Sequence, residues 1–163
     1  MKTGLIALNG KYSDADAIRK HLFLYRESLE FEHVIGVDGG IYLLKTLGIT
    51  PDTVLGDFDS VNNLQDEINA WGNVQVMTFP AHKDYTDAEL AVDEMLKSQM
   101  VLIVMIGGYG GRIDHMLGAM FLLYKSIGQS RIVMIDEGNC IELIEGPLCR
   151  IVLRKKNIGN YVS

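Results

Sequence analysis

The sequence predicts an α/β fold: a mostly parallel sheet with helices on both faces. Three observations carry that prediction. Between Leu5 and Gly128, five short apolar runs alternate with five amphipathic segments, and strand–helix alternation of this kind builds a parallel sheet. The fifth run, "MVLIVMIGG" (Met100–Gly108), is apolar throughout, as expected of a central strand covered on both faces. After Gly128 the pattern changes to three strand-like runs, with no helix between the last two.

The elements follow in order. "LIALNG" (Leu5–Gly10) is an apolar run closed by turn residues, and Ser13 can cap a helix that carries Ile18, Leu22 and Tyr25 on one side. "HVIGVDGG" is the second run, followed by a short helix "IYLLKTLG" that Gly48 stops. "TVLGDFD" is the third run. The helix after it, "SVNNLQDEINAWG", has Ser60 as its cap and Gly72 as its stop. "VQVMTFP" is the fourth run. In "TDAELAVDEML", Thr86 and Glu89 make a capping box before Ala88, Ala91, Val92 and Met95 recur at helical spacing. "IDHMLGAMFLLYKSIG" is the last helix, ending at Gly128. The closing runs "RIVMIDEG", "CIELIEG" and "CRIVLRKK" predict either an antiparallel edge or the start of an all-β unit.

Composition narrows the function. A chain of 163 residues with 48% hydrophobic and 22% charged residues fits one well-packed domain with a small appendage. A formal net charge of −6 argues against a nucleic-acid binder, which needs clustered Lys and Arg. It is compatible with a nucleotide, because a metal ion bridges acids and phosphates. Cys140 and Cys149 form neither a C-x-x-C pair nor a zinc spacing, so a reducing cytoplasm is the expected compartment. The N-terminal apolar run is too short for a signal-peptide core. No segment approaches the ~20 apolar residues that span a bilayer, so no membrane partner is expected.

Ligands of open α/β sheets bind outside the carboxyl ends of the strands. The residues that fall there are Asn9 and Gly10, then Asp38, Gly39 and Gly40, then Asp57 and Asp59. After the fourth run come His82, Lys83, Asp84 and Asp87, and after the fifth the stretch Gly107–His115. Singly, most have bland explanations. Asp38 before two glycines reads as a turn, Asp87 meets a helix dipole, and Thr86 is a cap. "GGYGG" matches neither the dinucleotide nor the P-loop fingerprint. Asp57 and Asp59 are harder to explain, because two like charges at the end of a buried run repel unless a cation lies between them. Mg²⁺ takes carboxylate oxygens together with substrate phosphates. Arg112 offers a planar fork for a phosphate, and the backbone N–H groups of "GGYGGR" lead into a helix. Acids for a metal, with a glycine loop and an arginine for phosphate, point to phosphoryl transfer.

Taken in order, "DGG", "LGITPDTVLGDFDS", "HKDYTDAELAV" and "GGYGGRIDH" resemble the thiamine pyrophosphokinase family over roughly residues 5 to 125. Four motifs together are specific where each alone is weak. The resemblance implies a Rossmann-like catalytic domain that transfers the pyrophosphate of ATP to the hydroxyl of thiamine, giving thiamine diphosphate and AMP. It implies Asp57, Asp59 and Asp87 as Mg²⁺ ligands. Asn9, Asp38, Gly39, Gly108, Gly111, Arg112 and Asp114 are then with the nucleotide, with Arg112 and Lys83 on phosphates and Asp84 near the transferred group. His115 follows Asp114 as in many bacterial members. The family also carries a C-terminal β-sandwich that helps form a homodimer and part of the thiamine pocket. On this reading, residues 1–130 are the nucleotide-binding catalytic domain and residues 131–163 the first strands of an incomplete β domain. The chain is then expected to bind Mg-ATP with little thiamine turnover.

Two other readings fit some of the residues. "DFDSV" matches the D-x-D-x-[TV] pattern of haloacid-dehalogenase-type phosphatases, with Asp57 as covalent nucleophile and Asp59 as acid/base. Those enzymes place the pair after their first strand, whereas here it follows the third run. The other is a non-catalytic module that binds Mg-ATP without turning it over.

Overall fold

The computed structural model describes residues 1–26, 28–58, 64–79, 85–144 and 150–151. Within them the elements are β1 (Thr3–Ala7), α1 (Ala15–Leu22), β2 (His33–Val37), α2 (Gly40–Leu47), β3 (Thr53–Gly56), α3 (Leu64–Trp71) and β4 (Gln75–Thr78). They continue with α4 (Asp87–Lys97), β5 (Leu102–Ile106), α5 (Ile113–Lys125), β6 (Arg131–Ile135), β7 (Cys140–Ile144) and β8 (Arg150–Ile151).

The strands lie in the order β4-β3-β2-β1-β5-β6-β7-β8. β4 through β6 in that order run parallel, with registers such as Leu5↔Val34 and Leu5↔Val104. β7 is antiparallel to β6, and β8 to β7. This is the predicted mostly parallel sheet, closed by an antiparallel pair. β6 follows the helical crossover α5 and pairs parallel with β5. The strand-only part of the described chain is therefore β7 and β8.

Alternation along each strand divides the core between two faces. Ile6, Ile35, Leu55, Ile103, Met105 and Met134 face α4 and α5, meeting Ala91, Val92, Met95, Leu122 and Leu123. Leu5, Ala7, Val34, Val104 and Val133 face α1 and α2, meeting Ile18, Leu22, Leu43, Leu44 and Leu47. Val54 and Ile41 pack with Ile68 and Trp71 of α3. β5 is buried at every residue, as its apolar run predicts. β4 is the outer strand of this sheet, and Val76 is exposed there.

Local signals account for several helix ends. Thr86 caps α4, its side chain accepting from the Glu89 N–H at 3.2 Å. Gly48, in the left-handed conformation, ends α2. At α1 the structure corrects the expectation. The cap is Asp14, which accepts from the Ala17 N–H at 2.9 Å, while Ser13 is engaged elsewhere. Tyr25 lies beyond the end of α1 at Leu22.

Candidate nucleotide and metal site

The chain runs outward from β1 to β4 on one side, then returns to place β5 on the other side of β1. The strand order therefore reverses between β1 and β5, where open α/β sheets leave a ligand crevice. Of the predicted residues, those the structure describes follow the carboxyl ends of these strands, and the loops after β1, β2, β3 and β5 interlock.

The interlocking starts at β3. Gly56 closes that strand with φ +149, and a Cβ there would overlap the Asp38 carboxylate that follows β2. The Asp38 N–H donates to Leu55 O at 2.9 Å, and Asp38 Oδ1 accepts from the Phe58 N–H at 3.4 Å. One residue on from Asp38, Gly39 packs against the Asn9 side chain that follows β1, again with no room for a Cβ. Gly10 N then donates to Gly107 O beyond β5 at 2.8 Å. A continuous line of loop contacts thus joins Asp57, Asp38, Gly39, Asn9 and the start of the glycine loop across four strands. Asp57 is exposed and Asp38 half-buried at one end of this line.

The glycine loop leads to α5, whose N-terminal flanking residue is Arg112 with no side-chain cap. Arg112 Nε and an Nη donate to the two Asp114 oxygens at 3.1 and 2.5 Å, a bidentate pair on the surface. The guanidinium holds the Asp114 carboxyl down to about 2, and the same bond raises Arg112. The fork is thus pre-set toward an oxyanion partner at a helix N-terminus. Gly111 has φ +79 beside it. Gly108 is buried against Met134 and Ala119, so it supports the loop from beneath. His115 is exposed.

Asp87 is the first residue of α4 and is half-buried. Asp59, Lys83 and Asp84 lie outside the described residues. Hard oxygen donors such as Asp57 and Asp87 suit Mg²⁺, so the donor chemistry fits that ion. Among the described residues, no three His, Cys, Asp or Glu side chains form a ligand group.

A cavity of about 310 Å³ opens on the far side of β1, lined by Lys11, Tyr12, Ser13, Tyr109, Gly110 and Glu137 among others. Sequence reasoning missed this wall. Glu137, after β6, accepts from the Ser13 N–H, from Ser13 Oγ at 2.9 Å and from the Asp14 N–H at 2.8 Å. These bonds draw its carboxyl below the usual range, the Ser13 N–H foremost. Asp136 accepts from the N–H groups of Gly138 and Asn139 within its own turn. Burial raises the Tyr109 phenol, whose hydroxyl donates to Met134 O. Lys11 packs its stem against Gly110 and makes no ion pair among the described residues. Its position two residues beyond Asn9 was the available signal, whereas no local pattern announces the Glu137 contact.

A family model described as "Thiamin pyrophosphokinase, catalytic domain" matches residues 26–135. The thiamine pyrophosphokinase of Bacillus subtilis (strain 168) is 38% identical over 130 residues, which are 79% of this chain and 60% of that protein. Thiamin pyrophosphokinase 1 of Caenorhabditis elegans is 31% identical over 98 residues, 56% of this chain and 38% of that protein. A crystal structure of the Bacillus subtilis thiamine pyrophosphokinase superposes with a TM-score of 0.72 at 31% identity, covering 88% of this chain and 64% of that one. The chain thus spans less than two thirds of the length of these relatives. With the family model covering most of the α/β sheet and the solved relative sharing its fold, the chain belongs to the thiamin pyrophosphokinase family.

Proposed function

We propose that this chain carries the nucleotide- and metal-binding half of a thiamine pyrophosphokinase, and that the reaction is Mg²⁺-dependent transfer of pyrophosphate from ATP to thiamine. The observation that carries the reading is the line of interlocked loops from Asp57 through Asp38 and Asn9 to the glycine loop. It sets carboxylates at one end of the ligand edge and the Arg112 fork on the loop leading from the other. Three strand spacings separate the ends of β3 and β5, about 14 Å at the usual ~4.8 Å per strand. An extended nucleoside triphosphate is of that order in length.

In the proposed step the thiamine hydroxyl oxygen bonds to the β-phosphorus. The bond from that phosphorus to the oxygen bridging the α-phosphorus breaks. AMP leaves with the bridging oxygen, and the hydroxyl proton is released. Mg²⁺ held by Asp57, Asp59 and Asp87 would supply charge neutralisation for the phosphate oxygens. Arg112, Lys11 and Lys83 bind phosphate oxygens, and Asp38 and Asn9 hold the loops that aim them. Positioning and charge stabilisation dominate such transfers. Part of the thiamine pocket is assigned to the length of the relatives that this chain does not match, as is the expected homodimer contact of the β domain. A cytoplasmic location is proposed with it. Among the described residues no helix is long and apolar enough to cross a membrane.

The phosphatase reading is weaker, since Asp57 follows β3. The test is calorimetric titration with ATP, with and without Mg²⁺, followed by chromatography of the nucleotides after incubation with thiamine at stoichiometric protein. Mg²⁺-dependent binding and thiamine-dependent AMP support the proposal. ADP as the main product would point to an ordinary kinase, and binding without any turnover to a nucleotide-binding module. Absence of Mg²⁺-dependent binding would sink it.

A further inference from the structure

The loop after β1 is held at two places. The Leu8 N–H donates to Ile106 O and the Gly10 N–H to Gly107 O, both at 2.8 Å, which lays the chain along the end of β5. Further on, the Ser13 N–H, the Ser13 hydroxyl and the Asp14 N–H converge on the Glu137 carboxylate. Between the two holds lie Lys11 and Tyr12, both exposed and both lining the cavity with Gly107 and Gly110. β5 stands between β1 and β6 in the sheet. Glu137, in the turn after β6, therefore reaches across the end of β5 to the loop of β1.

The turn that carries Glu137 is stiff. Asp136 Oδ1 accepts from the Gly138 N–H at 2.7 Å and the Asn139 N–H at 2.6 Å, and the Asp136 N–H donates to Asn139 O at 3.0 Å. His21 Nδ1 lies 2.7 Å from Asp136 O, so α1 grips the same turn. Glu137 is thus a fixed post, and the exposed segment from Lys11 to Asp14 is tied to it. We propose, resting on the ATP reading above, that Glu137 is a positioning residue of the nucleotide site, setting the path of the loop after β1 and with it the approach of Lys11 to the phosphates. It acts through the backbone of Ser13 and Asp14 and needs no contact with the nucleotide.

Three roles for this carboxylate predict three different results. As a bare charge, it repels a polyphosphate, and its removal tightens ATP binding. As a contact that only holds the fold, its removal lowers stability and leaves affinity unchanged wherever the protein is folded. As a positioning group, its removal weakens binding, because the loop must then be ordered when ATP arrives. The chemistry of the bonds separates reach from charge. Both N–H groups meet the same oxygen, Oε1, so the amide oxygen of a glutamine can accept both. An aspartate keeps the charge and ends one carbon short.

The test is calorimetric titration of the 163-residue chain with Mg-ATP, at a temperature where circular dichroism shows every variant folded. Glu137→Ala and Glu137→Asp are expected to weaken binding about fivefold or more, and Glu137→Gln to stay within about twofold of the parent. Gly48→Ala is the stability control. It strains the left-handed end of α2 away from Gly39, and is expected to lower the thermal midpoint with affinity unchanged. Lys11→Met completes a cycle, and with Lys11 gone Glu137→Ala is expected to cost less than about twofold more. A parent that does not bind Mg-ATP sinks the proposed function and this inference with it. With a parent that binds, parent-like or tighter binding by Glu137→Ala overturns the inference alone. So does an equal loss in Glu137→Gln or Gly48→Ala, or the full Glu137→Ala effect in the Lys11→Met background.

Discussion

The Asp38 carboxylate lies against the α-carbon of Gly56, where any side chain would overlap it. The two loops that follow β2 and β3 are therefore set by one contact, and Asp57 is the next residue along. Gly56 also has φ +149, a conformation that other residues rarely adopt.

Gly56→Ala combines backbone strain with displacement of Asp38. The expected loss is about 1–3 kcal/mol of stability, read by chemical denaturation. A fall in Mg²⁺-dependent ATP affinity is expected with it, because Asp57 moves with the loop. A variant as stable as the parent, binding ATP equally well, would mean that the contact sets neither loop.

Asp57→Asn keeps the shape and removes the charge. Mg²⁺-dependent ATP affinity is expected to fall by at least about tenfold. The metal-free protein is expected to keep its fold, because asparagine matches aspartate in shape at an exposed position. Calorimetry and a thermal melt measure the two effects, and unchanged ATP affinity removes the metal assignment.

Arg112→Lys replaces a planar fork with a point charge. The Asp114 carboxyl, held at about 2 by the guanidinium, is expected to rise toward its ordinary 3.8. A carbon-detected NMR titration follows it directly. ATP affinity is expected to fall with it, since the lysine cannot match a phosphate bidentately. An Asp114 titration that does not move would show that the carboxyl is held by something other than the fork.

Glu137→Gln tests the link between the turn after β6 and the start of α1. The folded carboxyl is depressed by the N–H groups of Ser13 and Asp14. The charge therefore contributes stability above the unfolded value of 4.5, and that contribution is lost as pH falls through the folded value. The variant is expected to be less stable than the parent by about 1 kcal/mol near neutrality, allowing for solvent screening. The difference is expected to shrink below pH 4.5. Denaturation curves across that range decide it, and a gap that widens in acid contradicts the assignment.

These residues also show what the sequence could and could not tell. Thr86 and Gly48 are legible because capping is local chemistry. Asp38, Gly39, Asn9 and Asp57 were placed at one edge by the strand–helix rhythm alone, and the loop contacts bring them into a line. Ser13 fits a cap by type and position. The Glu137 carboxylate takes its hydroxyl and N–H from 124 residues away, and Asp14 caps in its place. β6 looked like its strand-like successors because an apolar run does not declare whether its neighbour is parallel. The α5 crossover decides that. The cavity beside Lys11 was hidden for the same reason as Glu137, since its walls meet only once β1, β5 and β6 are side by side.

The reversal of strand order between β1 and β5 has a consequence for synthesis. β1 is made first, and its partner on one side, β2, follows within about thirty residues. Its partner on the other side is Leu102–Ile106, paired with Thr3–Ala7. A nascent chain that has reached β4 therefore carries an open edge on β1, a strand buried at every residue in the fold, until the fifth strand emerges. At ~5–20 residues per second that exposure lasts for seconds, long compared with collapse. Unpaired apolar edges recruit other strands. The interval before β5 arrives is when this chain most needs a chaperone, and a ribosome pause placed there would favour aggregation over a folded protein.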